Sequence, residues 1–260
     1  MLLMGKQISR KIRSLPAERT IIYPESDGKP MAETDIHRDL MVDMIDILKN
    51  HFTDIPDVYV SGNLLLYYEP GNPRKHVAPD VFAVFGVEKK RRRTYLLWEE
   101  GKGPDVVLEL VSRKTYRKDL GEKKELYASV FSVKEYYLYD PDGRYLQPTL
   151  QGYRLAHGVY FPIQRTLEDR LPSFVLGLEL GETDIGLGLY NPQTNQWLLK
   201  PVEEEASARR QAEEKAQREF QARQQEAEAR RQAEARAQQA EAELARLRTE
   251  LERLRNPSKI

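Results

Sequence analysis

From Glu203 to Arg255 the chain contains neither glycine nor proline and is built almost wholly of Ala, Glu, Arg and Gln. These residues, with Leu, lose little side-chain freedom in a helix, so the run predicts one long helix. Its 13 acidic and 12 basic residues nearly cancel. Acid-before-base pairs four residues apart reinforce the helix: Glu205–Arg209, Glu214–Arg218, Glu219–Arg223 and Glu226–Arg230. Leu244, Leu247, Leu251 and Leu254 follow the 3-4-3 spacing of a coiled-coil seam. Extended backwards, the register passes through Ala240, Ala237 and Ala233 to Arg230 and Glu226, so the apolar seam fades toward the helix start. Two readings follow: a homo-oligomer held by the last turns, or a solvated, charge-stitched single helix. Asn256-Pro257 ends the pattern.

Composition narrows the rest. The 260 residues include no cysteine, which excludes disulfides, thiolate metal sites and a cysteine nucleophile, and favours a reducing, cytoplasmic setting. No run approaches the roughly 18 apolar residues of a membrane span, and the opening MLLMG is too short for a signal-peptide core. Formal net charge is zero, so no global field marks a nucleic-acid binder.

Residues 1–19 are basic and irregular, with Lys6, Arg10, Lys11 and Arg13, and read as a flexible arm. Residues 20–200 read as globular. From Thr34 an apolar pattern of helical period runs through Leu40, Met41, Met44, Ile45, Ile47 and Leu48, with Thr34 or Asp35 as cap. Strands are predicted over 57–61 and 64–68, with Gly62-Asn63 as the turn between them, then over 77–86, 105–111 and 135–139. A helix is predicted over 119–129. The stretch 145–163 resembles a small meander with turns at Gln151-Gly152 and His157-Gly158, and short elements follow at 171–180 and 197–202. Helix, strands, helix and further strands together predict a mixed α/β (α+β) fold.

Two carboxylates stand out against this pattern. Asp80 opens the apolar strand Val81–Phe85, and Glu109 lies inside Val106–Val111. A buried ionised carboxylate needs a cation or a cage of hydrogen bonds. If the two strands are neighbours and both side chains point one way, they form a hard-oxygen site suited to Mg²⁺, to which the Leu110 backbone carbonyl would add a third oxygen. Lys123 belongs to the series Asp119, Lys123, Tyr127, which shares one helix face. Taken alone, that series also reads as an ordinary solvated salt-bridge face. The basic run Lys89, Lys90, Arg91, Arg92, Arg93 would touch phosphates without reading sequence, or else be a solvated turn.

Four segments occur together in order: Ala78–Val81, Pro104–Ser112, Asp119–Ala128 and Val133–Pro141. In combination they resemble the Uma2 family of endonucleases within the PD-(D/E)XK superfamily, over about residues 20–180. The resemblance implies a restriction-endonuclease-like mixed sheet flanked by helices, with Mg²⁺ or Mn²⁺ as cofactor and DNA as substrate. It implies Asp80 and Glu109 as metal ligands and Lys123 as the catalytic lysine. The superfamily pattern would place that lysine two residues after Glu109, where this chain has Val111; in the family it is thought to have moved to the following helix, as Lys123 would have it. His37 matches a histidine of the family's first helix and otherwise reads as a first-turn residue. Glu33 would add an acidic group beside it, and Ser112, Asp119 and Tyr127 would support the site. The expected activity is hydrolysis of DNA phosphodiester bonds by a metal-activated water. The alternative is a catalytically silent nuclease fold that scaffolds through the 203–255 helix.

Overall fold

The computed structural model describes residues 21–26, 28 and 34–255. The expected arm at 1–19 and the Glu33 side chain lie outside these residues. The chain divides into two compact units, 1–200 and 201–260.

The first unit opens with α1 (Asp35–His51), capped by Thr34, whose hydroxyl accepts the His37 amide. Its apolar stripe, Leu40, Met41, Met44, Ile47 and Leu48, is buried. Then come β1 (Val58–Ser61), β2 (Leu66–Tyr67), β3 (His76–Val77), β4 (Val81–Phe85), β5 (Tyr95–Leu96) and the single turn α2 (Leu97–Glu100). β6 (Val106–Leu110) leads into α3 (Tyr116–Leu120) and α4 (Glu122–Ser129). β7 (Glu135–Tyr139), β8 (Leu150–Ala156) and β9 (Val159–Pro162) follow, and β10 (Leu171–Ser173), β11 (Leu178–Thr183), β12 (Gly186–Asn191) and β13 (Gln196–Trp197) complete the unit.

The central sheet has six strands in the order β1-β4-β6-β7-β8-β9. Only β6 and β7 are parallel; the other pairs are antiparallel. Every residue of β6 and β7 is buried, as expected for central strands covered on both faces. Alternation sends Val106, Leu108 and Leu110 into one core with α1 and the four-stranded sheet β10–β13. Val107 and Val111 enter the opposite core with Tyr127 of α4 and the three-stranded sheet β3-β2-β5. The fold is mixed α/β, with the central sheet sandwiched between these layers.

Three local expectations change. Gly62-Asn63 does turn the chain, with Asn63 at φ 48°, but β1 and β2 form no hairpin: they join different sheets. The predicted strand over 77–86 splits into β3 and β4 for the same reason. Gly152 is no turn. It lies inside β8, where a Cβ would meet the Tyr137 ring at 2.9 Å, so glycine is required by close packing rather than by bending. His157-Gly158 does close the β8–β9 hairpin, with φ of 51° and 78°, the positive pair that a tight hairpin demands.

The second unit is α5 (Pro201–Arg255), one helix with proline in its first turn. Its surface carries the pairs Arg209–Glu213, Glu214–Arg218 and Arg230–Glu234. Of the four anticipated pairs Glu214–Arg218 is formed, while Arg209 and Arg230 turn to the acid on their other side along the helix. Such exposed pairs contribute only about 0.3–0.5 kcal/mol each. Leu244, Leu247 and Leu251 are about half exposed or more, at 56%, 49% and 66%.

Candidate functional site

β4 and β6 run antiparallel with Val81 opposite Leu108. One step further along this register sets Asp80 against Glu109, with both side chains on the face covered by α4. The Asp80 amide lies 3.4 Å from Glu109 Oε2, and Asp80 Oδ2 accepts the Leu110 amide at 2.7 Å. The backbone of each strand therefore fixes the carboxylate of the other. Glu109 is fully buried. Its Oε1 accepts the Tyr127 hydroxyl at 2.6 Å, and its Oε2 accepts Lys123 Nζ at 2.9 Å.

Lys123 Nζ also lies 3.0 Å from Asp119 Oδ1. The expected single helix over 119–129 is in fact broken at Gly121 (φ −119°, ψ −95°), which separates α3 from α4. Asp119 and Lys123 nevertheless converge, because the break falls between them and leaves their side chains on the same core-facing side. Asp119 is buried, and neither of its oxygens has a well-directed hydrogen bond, so the contact with Lys123 is one of charge. His37 enters from α1, its Nε2 3.4 Å from Asp80 Oδ1.

The electrostatics have one origin. Burial, with the charges of Asp80 and Asp119, pushes the Glu109 carboxyl up to about 8 against the opposing pull of Lys123 and Tyr127. Burial likewise raises Asp119. Burial would lower the Lys123 ammonium, but Glu109, Asp119 and Asp80 more than reverse this and hold it above the ordinary lysine value. Glu109, Asp119 and Lys123 shift upward together because three carboxylates and one lysine share a largely buried pocket. It lacks positive charge, which a proton or a cation would supply.

Residues named from the sequence thus fall into groups. Asp80, Glu109, Lys123, Asp119, Tyr127 and His37 come together. Leu110 joins them through its amide. Ser112 instead stays in the turn before α3, its amide and hydroxyl on Thr115 Oγ1 at 3.2 and 3.1 Å. The basic run 89–93 is largely used by the fold. Lys89 Nζ caps the carbonyls of Phe52 and Thr53, and Arg92 makes a two-pronged pair with Glu100 at 2.7 and 2.8 Å over the Tyr59 ring. Arg93 pairs with Glu25 and Lys90 with Glu88.

Two positioning residues escape sequence reasoning. Gly62 packs so closely on Asp80 that a Cβ would stand 2.0 Å from the Asp80 carbonyl oxygen. Glu135 is a second buried strand glutamate, but it is caged by donors: Ser173 Oγ, the Phe174 and Val175 amides, the Tyr137 hydroxyl and Arg154. It holds β10 to the central sheet, whereas Glu109 faces other carboxylates.

A divalent cation suits this donor set. Among the described residues no three His, Cys, Asp or Glu side chains gather into a cage for an ion. Mg²⁺ does not require one, since it binds through one or two carboxylates and keeps several waters. Asp80 and Glu109 supply those oxygens, and the charge deficit supplies the attraction. The residues fit the group.

Comparison with known protein families points the same way. The Uma2 family model, described as "putative restriction endonuclease", matches residues 11–181, more than half of the chain. No curated protein matches. Among solved structures, the chain is similar to one titled as a "putative nuclease belonging to DUF820" from Anabaena variabilis, at 14% identity and a TM-score of 0.41, covering 57% of this chain and 76% of that one.

Proposed function

Because the chain belongs to the Uma2 family, we propose that it is a Mg²⁺- or Mn²⁺-dependent endonuclease acting on DNA, with Asp80, Glu109 and Lys123 as its catalytic group. The observation that carries this is the meeting of a carboxylate at the start of β4 and one within β6 with a partly buried lysine from α4. Asp80 and Glu109, with the Leu110 carbonyl, would hold the ion. When bound, the ion supplies a Lewis acid and lowers the pKa of a bound water. The chain's own residues do the rest. Tyr127 and the Leu110 amide lock the orientations of Glu109 and Asp80. Lys123, kept charged by Asp119 and Glu109, stabilises the negative charge that grows on a phosphoryl oxygen. His37 orients Asp80. Residence in the cytoplasm and self-association through Leu244, Leu247, Leu251 and Leu254 complete the proposal; among the described residues no helix is long and apolar enough to cross a membrane.

Supercoiled plasmid incubated with purified protein is expected to be nicked with Mg²⁺ or Mn²⁺ and left intact with chelator. Calorimetric titration with Mn²⁺ is expected to show saturable binding. Neither nicking nor metal heat would leave the silent scaffold as the better account, in which Lys123 serves only to neutralise Glu109 and Asp119.

A further inference from the structure

We propose that the loop leaving β6 is the surface that receives the DNA backbone, an inference that rests on the nuclease reading above. Between Glu109 and Lys123 the chain carries Arg113, Lys114, Arg117 and Lys118, all exposed. Arg144 joins them from the loop after β7, because Tyr145 stacks on Tyr116 with centroids 5.4 Å apart. Among the described residues, none of these five cations makes an ion pair. Among the described residues, Arg117 alone of the five has a side-chain partner, the Tyr116 hydroxyl at 2.9 Å. The run at 89–93 differs: there four of the five cations, all but Arg91, are tied to Glu25, Glu88, Glu100 or backbone carbonyls.

Position supports the assignment. Both loops leave the carboxyl ends of β6 and β7, the parallel pair of the central sheet, and ligands of such sheets bind beyond those ends. The same short helix that exposes Arg117 and Lys118 buries Asp119 against Lys123, so a phosphate backbone held there would lie beside the candidate centre. A cluster of like charges with no acid partner repels itself and does not serve the fold; a polyanion removes that repulsion.

The test is binding of a labelled DNA duplex by the full chain in chelator, across a salt series, so that cleavage plays no part. Replacing Arg113, Lys114, Arg117 and Lys118 together by alanine should lower the salt slope by about 3.6, at about 0.9 for each phosphate no longer neutralised, and weaken binding at least about tenfold at about 0.1 M salt. The double variant Lys90→Ala/Arg91→Ala should change neither. Thermal unfolding checks that the variants are folded. An unchanged slope in the quadruple variant overturns the proposal even if the protein cleaves DNA; a lowered slope upholds it even if the protein does not. Absence of DNA binding by the parent chain also overturns it.

A second inference concerns α5 and comes from a separate observation. With Leu244 and Leu251 at a positions and Leu247 and Leu254 at d, the flanking g and e positions hold Arg236, Glu243 and Glu250, and Glu241, Arg248 and Arg255. In a parallel, in-register pair each g residue meets the e residue five positions on in its partner. All three meetings, Arg236 with Glu241, Glu243 with Arg248 and Glu250 with Arg255, join opposite charges. Antiparallel alignments that layer leucine on leucine each include like-charge meetings, Glu243 with Glu250, Glu250 with its own copy, or Arg248 with Arg255, so none is complementary throughout as the parallel pair is. We infer that a second copy of this chain covers the leucine seam, parallel and in register.

Because the chain has no cysteine, Ala233→Cys provides a single reporter on the seam. In the parallel pair the two copies of position 233 face each other. In the antiparallel alignments they lie at least about 37 Å apart along the axis, at about 1.5 Å per residue. Mild oxidation with diamide should convert most of the full-length variant to a crosslinked dimer, and adding Leu247→Asn should abolish this. A dimer in sedimentation without crosslinking overturns the orientation, and a monomer at about 0.1 mM overturns the pairing.

Discussion

Glu109→Gln should abolish metal-dependent nicking, by at least about a thousandfold or about 4 kcal/mol in the barrier, while the protein unfolds at the same temperature or higher. The glutamine keeps the shape of the side chain: its one oxygen can accept from Lys123 in place of Oε2, while its amide nitrogen donates to the Tyr127 hydroxyl in place of Oε1. It removes an ionisable carboxyl that lies fully buried beside Asp80 and Asp119 and that burial already disfavours in its charged form. Catalytic groups are commonly held in arrangements that do not favour stability, and neutralising them often leaves the fold as stable or more so. Glu135 supplies the internal control. Its carboxylate is surrounded by donors from β10, the following turn and Arg154, so Glu135→Gln should lower the unfolding temperature. Equal nicking by the Glu109 variant in a plasmid assay would remove Glu109 from the mechanism.

Gly62→Ala should be among the most damaging small substitutions in the chain, although Gly62 holds no chemistry. Its added methyl would lie 2.0 Å from the Asp80 carbonyl oxygen and 2.6 Å from Ile45 Cδ1. Ile45 can rotate away, but the Asp80 carbonyl belongs to backbone held by the Asn63 amide on Pro79 O at 2.8 Å and by the Asp80 side chain on the Leu110 amide. Relief therefore requires β1 and the start of β4 to part. Overpacking of this kind costs about 3 kcal/mol, which for a domain of this size is a fall of about 6–12 °C in unfolding temperature. Displacing Asp80 by about 1 Å would further reduce activity about a hundredfold in whatever protein remains folded. Calorimetric melting and the nicking assay measure the two effects separately.

Much of the site is legible without coordinates because strand geometry is short-ranged and periodic. A carboxylate within an apolar run, as at Glu109, or directly before one, as at Asp80, calls for a partner, and antiparallel pairing of β4 with β6 brings these two together on one face. Lys123 is legible as a member of the Asp119–Tyr127 series, since helical spacing puts those residues on one side. Ser112 falls outside the group because neighbours in sequence separate at a strand end: one residue beyond Val111 the chain turns into α3, and the hydroxyl is taken by Thr115.

Other features depend on groups distant in sequence. The run at 89–93 is the densest cationic segment of the globular unit, yet Arg92 is desolvated against Glu100 and Tyr59. The sparser cations at 113–118 remain without an acid partner among the described residues because the acid beside them, Asp119, faces inward to Lys123. Charge density along a sequence counts residues; exposure and pairing decide which charges solvent or a ligand can meet.

By itself, then, the sequence determined the long helix of the tail, the α1 stripe, the strands that carry Asp80 and Glu109, and the absence of thiol chemistry. Each follows from local propensity, periodicity or composition. Only the tertiary structure decided that Gly62 must be small and that α3 and α4 break at Gly121 yet still deliver Asp119 to Lys123. It alone decided that three carboxylates share one lysine in a pocket short of positive charge. Those outcomes depend on which strands become neighbours and on what burial removes from water, and neither is encoded within any single window of the chain.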